Sequence, residues 1–282
     1  MSENRKDSQP LIIDCNAAVG AGETWEPEQR PVSYDPEILM KYSAEAGIQR
    51  SCIMPARHPE RFPGIDRVNA GYYREANRQI ARLCEKYPAK FIGFAAHNPQ
   101  AEKGSLRQVL IQEVKSMGLK GLRTDGHPTR EVLDAVAELK IPVMYYPNLL
   151  DIYPPGSSGS REFPGPTSAY YWMATEYPSV NFILPHLGCY RSMPNMIAHI
   201  EAIDLAKRFS NVYVETSGVM NHKYLEKAAA ELQAEKIVFG SNGPEEDPRV
   251  EMHMIKLLKL GKQQAAAILG GNMLRLLPPL DM

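Results

Sequence analysis

The fold class is decided by one stretch of the sequence, Asn181-Phe-Ile-Leu-Pro-His-Leu-Gly-Cys189. Apolar residues lead into Pro185 and His186, and Gly188 then allows the chain to turn away. A short apolar run that ends at a polar residue and a glycine is typical of a strand buried in a parallel sheet. The last side chain of such a strand points toward the cavity at its carboxyl end. We therefore expect His186 to lie at the edge of a sheet, facing a binding site.

The same pattern of apolar strand, polar strand end and helix recurs along the chain. Alternating short strands and helices predict parallel βαβ units, and eight such units in 282 residues predict an α/β protein with a single (β/α)8 TIM barrel. An open doubly wound sheet is the alternative, but the Gly-x-Gly-x-x-Gly turn typical of that fold does not follow the first strand. The eight strands are predicted to end near Asn16, Met54, Ala96, Arg123, Tyr146, His186, Glu215 and Asn242.

The composition indicates one ordinary globular domain. Hydrophobic residues make up 44% of the chain, and the net charge is −1 with lysine and arginine scattered along it. This distribution argues against a nucleic-acid-binding or membrane-surface protein, and no apolar run reaches the roughly 18 residues of a membrane-spanning helix. We expect residues 1–10 to form a flexible polar tail and not a signal peptide, and residues 11–282 to form the barrel of a cytoplasmic protein.

The cysteines and several histidines are expected to be structural. Cys15, Cys52, Cys84 and Cys189 lack the spacing of a metal site and fit buried free thiols of a reducing compartment. For Cys15 and Cys189, a chemical role of the thiol at the rim is the alternative. The histidines predicted to lie at the surface are His58, His199, His222 and His253. The loop from 147 to 166 is long enough to cover a site.

Six stretches with recognisable motifs follow one another along the chain. They are Leu11-Ile-Ile-Asp14, Lys120-Gly-Leu-Arg123, Leu184-Pro-His-Leu-Gly188, Tyr213-Val-Glu-Thr-Ser-Gly218, Phe239-Gly-Ser-Asn-Gly-Pro244 and Ile268-Leu-Gly-Gly-Asn-Met-Leu-Arg-Leu-Leu277. In this order they resemble the amidohydrolase superfamily, in particular its amidohydrolase-related, aminocarboxymuconate-semialdehyde decarboxylase-like family. The resemblance covers nearly the whole chain from Leu11 and implies a TIM barrel of the metal-dependent-hydrolase type.

The resemblance also implies a divalent-metal site, but most of the matching positions hold other residues. The two histidines of the first strand are matched by Asn16 and Ala18, the fifth-strand histidine by Tyr146, and the eighth-strand aspartate by Asn242. Only the sixth-strand histidine is retained, as His186. Because a catalytic zinc site needs three protein ligands, usually histidines or carboxylates, we predict that this protein has no metal ligands and no cofactor.

The carboxyl ends of the strands line the active site of a TIM barrel whatever its chemistry. The residues predicted to be catalytic are His186, Glu215 and Tyr146. The residues predicted to bind substrate are Asn16, Arg57, His97, Arg123, Asp125 and Asn242.

Two interpretations stay open for each of the main candidates. His186 is predicted to transfer a proton, with a structural bond to a backbone carbonyl as the alternative. Arg123 is predicted to hold a substrate carboxylate, or else to pair internally with Asp125 or Glu215. The carboxyl group of Glu215 is either a general base or a buried, hydrogen-bonded structural group. Tyr146 could stabilise an oxyanion together with the two asparagines at the strand ends.

Three functions follow from these residues. The first is a metal-independent enzyme that hydrolyses a small organic acid, or its lactone or amide, or cleaves a carbon–carbon bond as decarboxylases do. The second is a catalytically silent barrel that binds a ligand or a partner subunit. The third is a metal enzyme with relocated ligands, drawn from His97, Asp125, His127 and His186. The expected partners are a small carboxylate ligand and a second copy of the chain, since twofold dimers are the commonest assemblies.

Overall fold

A computed structural model describes residues 10–20, 34–56, 70–99, 106–124, 127–145, 166–189 and 197–280. These residues contain an eight-stranded sheet in which each strand pairs in parallel with the next one in sequence. The ring closes where Cys15 N donates a hydrogen bond to Phe239 O at 2.9 Å and Ala18 N donates to Gly243 O at 2.8 Å. The predicted (β/α)8 barrel is confirmed.

The strands alternate with helices throughout the described residues. Strands β1 to β8 span Ile13–Val19, Arg50–Pro55, Phe91–His97, Gly121–Thr124, Val143–Tyr145, Phe182–Leu184, Val212–Glu215 and Ile237–Val238. Helices α1 to α10 span Pro36–Ala46, Ala70–Lys86, Leu106–Ser116, Arg130–Leu139, Pro166–Glu176, Ile197–Arg208, His222–Leu232, Pro248–Leu257, Lys262–Ala266 and Asn272–Leu276. Within these ranges, none of the helices has the length and apolar character needed to cross a bilayer.

Most of the predicted strand ends agree with the structure to within one residue, and three differ. Strand β1 continues to Val19, past a shift in its pairing with β2. Strand β6 stops at Leu184, because Pro185 cannot donate to the ladder and a 3-10 turn follows it. Strand β8 pairs only to Val238, so Asn242 lies in the connection beyond it.

The apolar core has two layers, one inside the barrel and one between the barrel and the helices. Along β2, Cys52 and Met54 point into the barrel, whereas Ile53 packs outward against the helices, as the twofold alternation of a strand requires. Met273 and Leu276 of α10 pack on the interior layer beside the start of β1. They cover the end of the barrel where the strands begin, so the opposite end remains for a site.

All four cysteines are free thiols, as predicted. Cys15 and Cys52 lie inside the barrel, where burial raises the pKa of both thiols. Burial also raises the pKa of Cys84 to about 12. Cys15 therefore points into the apolar interior and not toward the rim, and a thiol that stays protonated is a poor nucleophile.

The C-terminal segment joins the first and last strands of the barrel. A π-helical stretch, Ala267–Gly271, connects α9 to α10, and the carbonyl of Ile268 accepts a hydrogen bond from Phe239 N at 3.0 Å. On its other side, a Cβ atom at Gly270 would lie 2.0 Å from the carbonyl oxygen of Leu11. Only glycine allows the two backbones to approach this closely.

We predict that Gly270→Ala lowers the free energy of unfolding by about 1–3 kcal/mol or more, because the obstructing atom is backbone and cannot rotate away. The matched control is Gly261→Ala, where the nearest atom to a new Cβ is Gln264 Oε1 at 3.6 Å. Urea unfolding of both variants measures the effect. Equal stability of the two variants would show that the C-terminal segment does not hold β1 in this way.

Candidate active site at the carboxyl ends of the strands

His186 lies in a strained turn directly after β6. The backbone φ is 55° at His186 and 47° at Leu187, in the left-handed region that costs a non-glycine residue roughly 1–2 kcal/mol. The turn is held from α6 by His199, whose Nδ1 lies 2.8 Å from the carbonyl oxygen of Leu187. His199 is fully buried and its ring packs against Tyr224, so the prediction that it lies at the surface is wrong.

The imidazole of His186 faces the end of β7. Its Nδ1 lies 3.1 Å from the carbonyl oxygen of Ser217 and 3.0 Å from the hydroxyl oxygen of the same residue. Glu215 Oε2 lies 3.8 Å from this ring nitrogen and accepts the backbone N–H of His186 at 2.8 Å. One carboxyl group therefore anchors the backbone of His186 and lies close to its ring.

Glu215 ends β7 with its carboxyl group fully buried. Gly240 provides the space, since a Cβ atom there would lie 2.2 Å from Glu215 Oε1. Burial raises the pKa of Glu215, and hydrogen bonds from the backbone of His186 and Ser217 offset part of this effect. A buried carboxyl group that accepts several N–H donors is positioned firmly, which is the geometry expected of a residue that orients its neighbours.

Asn16 connects β1 to this cluster through its side-chain amide. The amide nitrogen donates to Glu215 Oε2 at 3.1 Å and to Ser217 Oγ at 3.3 Å. Because carboxylate oxygens accept hydrogen bonds, this contact assigns the nitrogen, and not the oxygen, to the side of Glu215. Both N–H groups of Asn16 are thus directed into the protein.

Two further carboxyl groups lie near the cluster and were not predicted from the sequence. Asp14 accepts Ser241 N at 2.8 Å and Ser241 Oγ at 2.6 Å, and burial raises its pKa to about 7. Glu251, in the first turn of α8, accepts Gly218 N at 3.2 Å. Burial, with a smaller contribution from nearby carboxylates, raises the pKa of Glu251 to about 8. The position of Glu251 in the first turn of the helix that follows the last strand was the available sequence signal.

Arg123 extends from β4 into the barrel and is 3% exposed. Its Nη1 donates to the carbonyl oxygen of Pro55, at the end of β2, at 2.6 Å. The internal pair with Glu215 is not formed, since that carboxylate accepts from Asn16 and from backbone groups instead. Asp125, the other partner considered for Arg123, lies outside the described residues.

His97 and Asn242 are less closely tied to the cluster. His97 ends β3 and is buried, with its ring 6.0 Å from that of Tyr73. Asn242 has a left-handed backbone, with φ 52°, and its carbonyl oxygen accepts Glu246 N at 3.2 Å. Asparagine tolerates this conformation better than most residues, so a turn role accounts for its presence.

Three predicted site residues, Arg57, Asp125 and Tyr146, lie outside the described residues, as do His58 and most of the loop from 147 to 166. Of the others, the structure brings Asn16, His186 and Glu215 into direct contact. It places Arg123 and His97 at neighbouring strand ends. Ser217 contacts all three members of the cluster and was missed, although it follows Glu215 closely in the sequence.

A sequence model of the amidohydrolase family matches residues 54–278. The chain belongs to this family. The search of curated proteins found no match to this chain, but many solved structures share its fold. The match begins after β1, so the family assignment does not rest on the first-strand positions that hold Asn16 and Ala18.

Several of the similar structures are decarboxylases. The 2,6-dihydroxybenzoate decarboxylase from Rhizobium is 19% identical with a TM-score of 0.69, over 95% of this chain and 98% of that chain. The 5-carboxyvanillate decarboxylase from Sphingomonas paucimobilis is 15% identical with a TM-score of 0.65, over 95% and 99%. The dihydroxybenzoic acid decarboxylase from Polaromonas sp. JS666, with bound manganese and 2-nitroresorcinol, is 19% identical with a TM-score of 0.69, over 95% and 97%. At these identities the similarity shows the fold alone.

The described residues of this amidohydrolase do not fit the divalent metal that the family implies. The amide of Asn16 presents N–H donors to Glu215 and Ser217, and Ala18 offers no ligand atom. Across the described ranges, no group of three or more histidine, cysteine, aspartate or glutamate side chains is arranged to hold a metal ion. A catalytic zinc site would need three such ligands and an open position.

Because of the buried carboxyl groups, we predict that the free energy of unfolding falls as pH rises. The pKa of Asp14 is about 7 in the folded protein against an ordinary value of 3.8, so the folded state keeps a proton that the unfolded chain has lost. The contribution of this proton to the free energy of unfolding is complete below about pH 4 and is lost as pH rises through about 7. The free energy lost over this range is on the order of 4 kcal/mol. Glu251 acts in the same direction.

Urea unfolding at a series of pH values between about 4 and 8 tests this expectation. We predict that Asp14→Asn makes the decline distinctly shallower, because the titrating group is gone while its shape is kept. The control is Asp204→Asn, which changes a side chain that is 49% exposed and pairs with Arg208 on α6, and which should leave the decline unchanged. An identical decline in Asp14→Asn and the parent protein would contradict the assignment.

Proposed function

We propose that this amidohydrolase is a carbon–carbon lyase that decarboxylates a small organic acid without a divalent metal. Family membership and the named activities of the similar structures support the reaction class. The replaced metal positions and the donor arrangement of Asn16 support metal independence. The chain's own acid–base and cationic side chains would then supply the chemistry.

The observation that carries the proposal is the position of His186 at the end of β6, 2% exposed and with a carboxylate oxygen 3.8 Å from its ring. As the bond from the substrate to its carboxylate breaks, the electron pair stays on the substrate carbon. That carbon takes the proton of His186, and carbon dioxide leaves. The imidazole regains a proton from solvent before the next turnover.

Arg123 is the cation placed to bind the substrate. Its guanidinium is a fork of N–H donors. Nη1 donates to the backbone carbonyl of Pro55, and the burial of the group strengthens any pairing with an anionic oxygen. A substrate oxygen other than those of the departing carboxylate is the suitable partner. If Arg123 paired with the departing carboxylate, it would stabilise the substrate before the reaction. An apolar surrounding instead favours conversion of that carboxylate to neutral carbon dioxide.

The described residues favour a lyase over a hydrolase. Hydrolysis needs a group that deprotonates water, and the family position for that group holds Asn242, whose amide cannot act as a base. Both carboxylate oxygens of Glu215 accept backbone N–H groups, which leaves this residue poorly placed to take a proton from water. Decarboxylation consumes a proton and no water, and His186 can supply that proton.

We predict that the purified protein releases carbon dioxide from at least one member of a panel of aromatic and unsaturated acids that includes 2,6-dihydroxybenzoate and 5-carboxyvanillate. His186→Gln should lower the rate on that acid at least ~10²-fold while the fold is kept, because the proton donor is lost. His253→Gln, an exposed change on α8, is the control. Turnover that survives His186→Gln would return His186 to a structural role, and binding of the acids without any release of carbon dioxide would favour a ligand-binding barrel.

A second prediction concerns metal dependence. Protein purified without chelators should contain far less than one equivalent of any divalent transition metal, and its activity should survive treatment with EDTA, because Asn16 and Ala18 cannot replace histidine ligands. Elemental analysis and a rate measurement before and after EDTA decide this. One equivalent of metal together with an activity that EDTA removes and manganese restores would favour the relocated set of ligands around His97 and His186.

A further inference from the structure

Ser217 occupies the point where the polar side chains of the site meet. Its hydroxyl oxygen accepts a hydrogen bond from Asn16 Nδ2 at 3.3 Å and lies 3.0 Å from His186 Nδ1. Its carbonyl oxygen lies 3.1 Å from the same ring nitrogen, and its backbone N–H donates to Glu215 Oε1. A single residue in the turn that follows β7 therefore contacts groups from β1, from the turn after β6 and from β7.

The donors and acceptors of this cluster fix the protonation of the His186 ring. A carbonyl oxygen can only accept, so an Nδ1 atom 3.1 Å from Ser217 O must carry a hydrogen when the ring is neutral. That hydrogen is shared between the carbonyl and hydroxyl oxygens of Ser217. The second acceptor position of the hydroxyl is filled by Asn16. The lone pair of the neutral imidazole is then on Nε2.

We propose that Ser217 is a positioning residue that holds His186 as the Nδ1–H tautomer and so assigns proton transfer to Nε2. The expected effect on turnover rests on the proposed function, whereas the assignment of the tautomer is independent of it. Ser217 is fully buried, so it acts through His186 and not on the substrate. Its burial and the acceptor role of its hydroxyl also argue against a serine nucleophile.

The turn that carries Ser217 is fixed from two sides. On the barrel side, Glu215 accepts the backbone N–H of Ser217. On the helix side, Glu251 accepts the N–H of Gly218 at 3.2 Å, and Gly218 has a left-handed φ of 65° that suits glycine. The oxygens that face His186 are therefore held in place independently of His186 itself.

The first test is the tautomer of the unmodified protein. Two-bond ¹H–¹⁵N correlation spectra of ¹⁵N-histidine-labelled protein distinguish the two neutral tautomers, and comparison with His186→Gln assigns the signals. At about pH 9, well above the ordinary histidine pKa near 6.5, we expect His186 in a single Nδ1–H form. An Nε2–H form, or an equal mixture, would overturn the proposal whether or not any variant of Ser217 folds.

The second test removes the hydroxyl group. Ser217→Ala keeps the carbonyl acceptor but removes one of the two oxygens that share the Nδ1 hydrogen, so the preference for the Nδ1–H form weakens. We expect a minor Nε2–H population to become detectable beside the Nδ1–H form, and kcat on the decarboxylated acid to fall about 10²-fold, as expected for a displaced catalytic group. KM should change much less, because Ser217 does not contact substrate. Ser217→Thr keeps the hydroxyl and should restore most of the rate. The control, Ser43→Ala, removes a buried hydroxyl that has no hydrogen-bond partner among the described residues.

The two readouts separate this inference from the proposed function. A Ser217→Ala variant that keeps both the single tautomer and the parent kcat would overturn the role of Ser217, even if His186→Gln abolishes turnover. A tautomer that changes in Ser217→Ala would support the positioning role. If turnover in the same experiments is insensitive to His186→Gln, the proposed function fails and the effect of Ser217 on the ring stands.

Discussion

The geometry of the site depends on one buried carboxyl group, that of Glu215. It accepts hydrogen bonds from the side chain of Asn16 and from the backbone of His186 and Ser217, and the missing side chain of Gly240 makes room for it. Strands β1, β6 and β7 are therefore joined at their carboxyl ends by a single side chain. Removing it would leave several buried N–H donors without acceptors, each at a cost of about 1–3 kcal/mol.

Local patterns in the sequence were sufficient for the barrel and for most strand ends, because the alternation of short apolar strands with helices depends on neighbouring residues. The contacts within the site could not be predicted in this way. Asn16 and Glu215 are separated by 199 positions, and the partner of Arg123 is a backbone carbonyl that carries no sequence signal. His199 was misassigned because a histidine in an amphipathic helix suggests solvent, whereas here it faces the turn after β6.

The replaced metal positions change the electrostatics of the whole barrel mouth. A dication would lower the pKa of neighbouring carboxyl groups by stabilising their charged forms. Among the described residues, burial raises the pKa values of Asp14, Glu215 and Glu251. Restoring a single ligand would not recreate a metal site, since the amide of Asn16 is already committed to Glu215 and Ser217.

The direction of the His186 ring is set by the pairing of β6 with β7. Leu184 and Val214 are in register, which brings the end of β6 beside Glu215 and the turn that follows it. A shift of one residue would turn Glu215 to the opposite face of β7 and remove the acceptor of the His186 backbone. The strained left-handed turn would then lose this support from the barrel, whereas its contact with His199 on α6 would remain. The same strand register that closes the barrel therefore also orients the group proposed to transfer the proton.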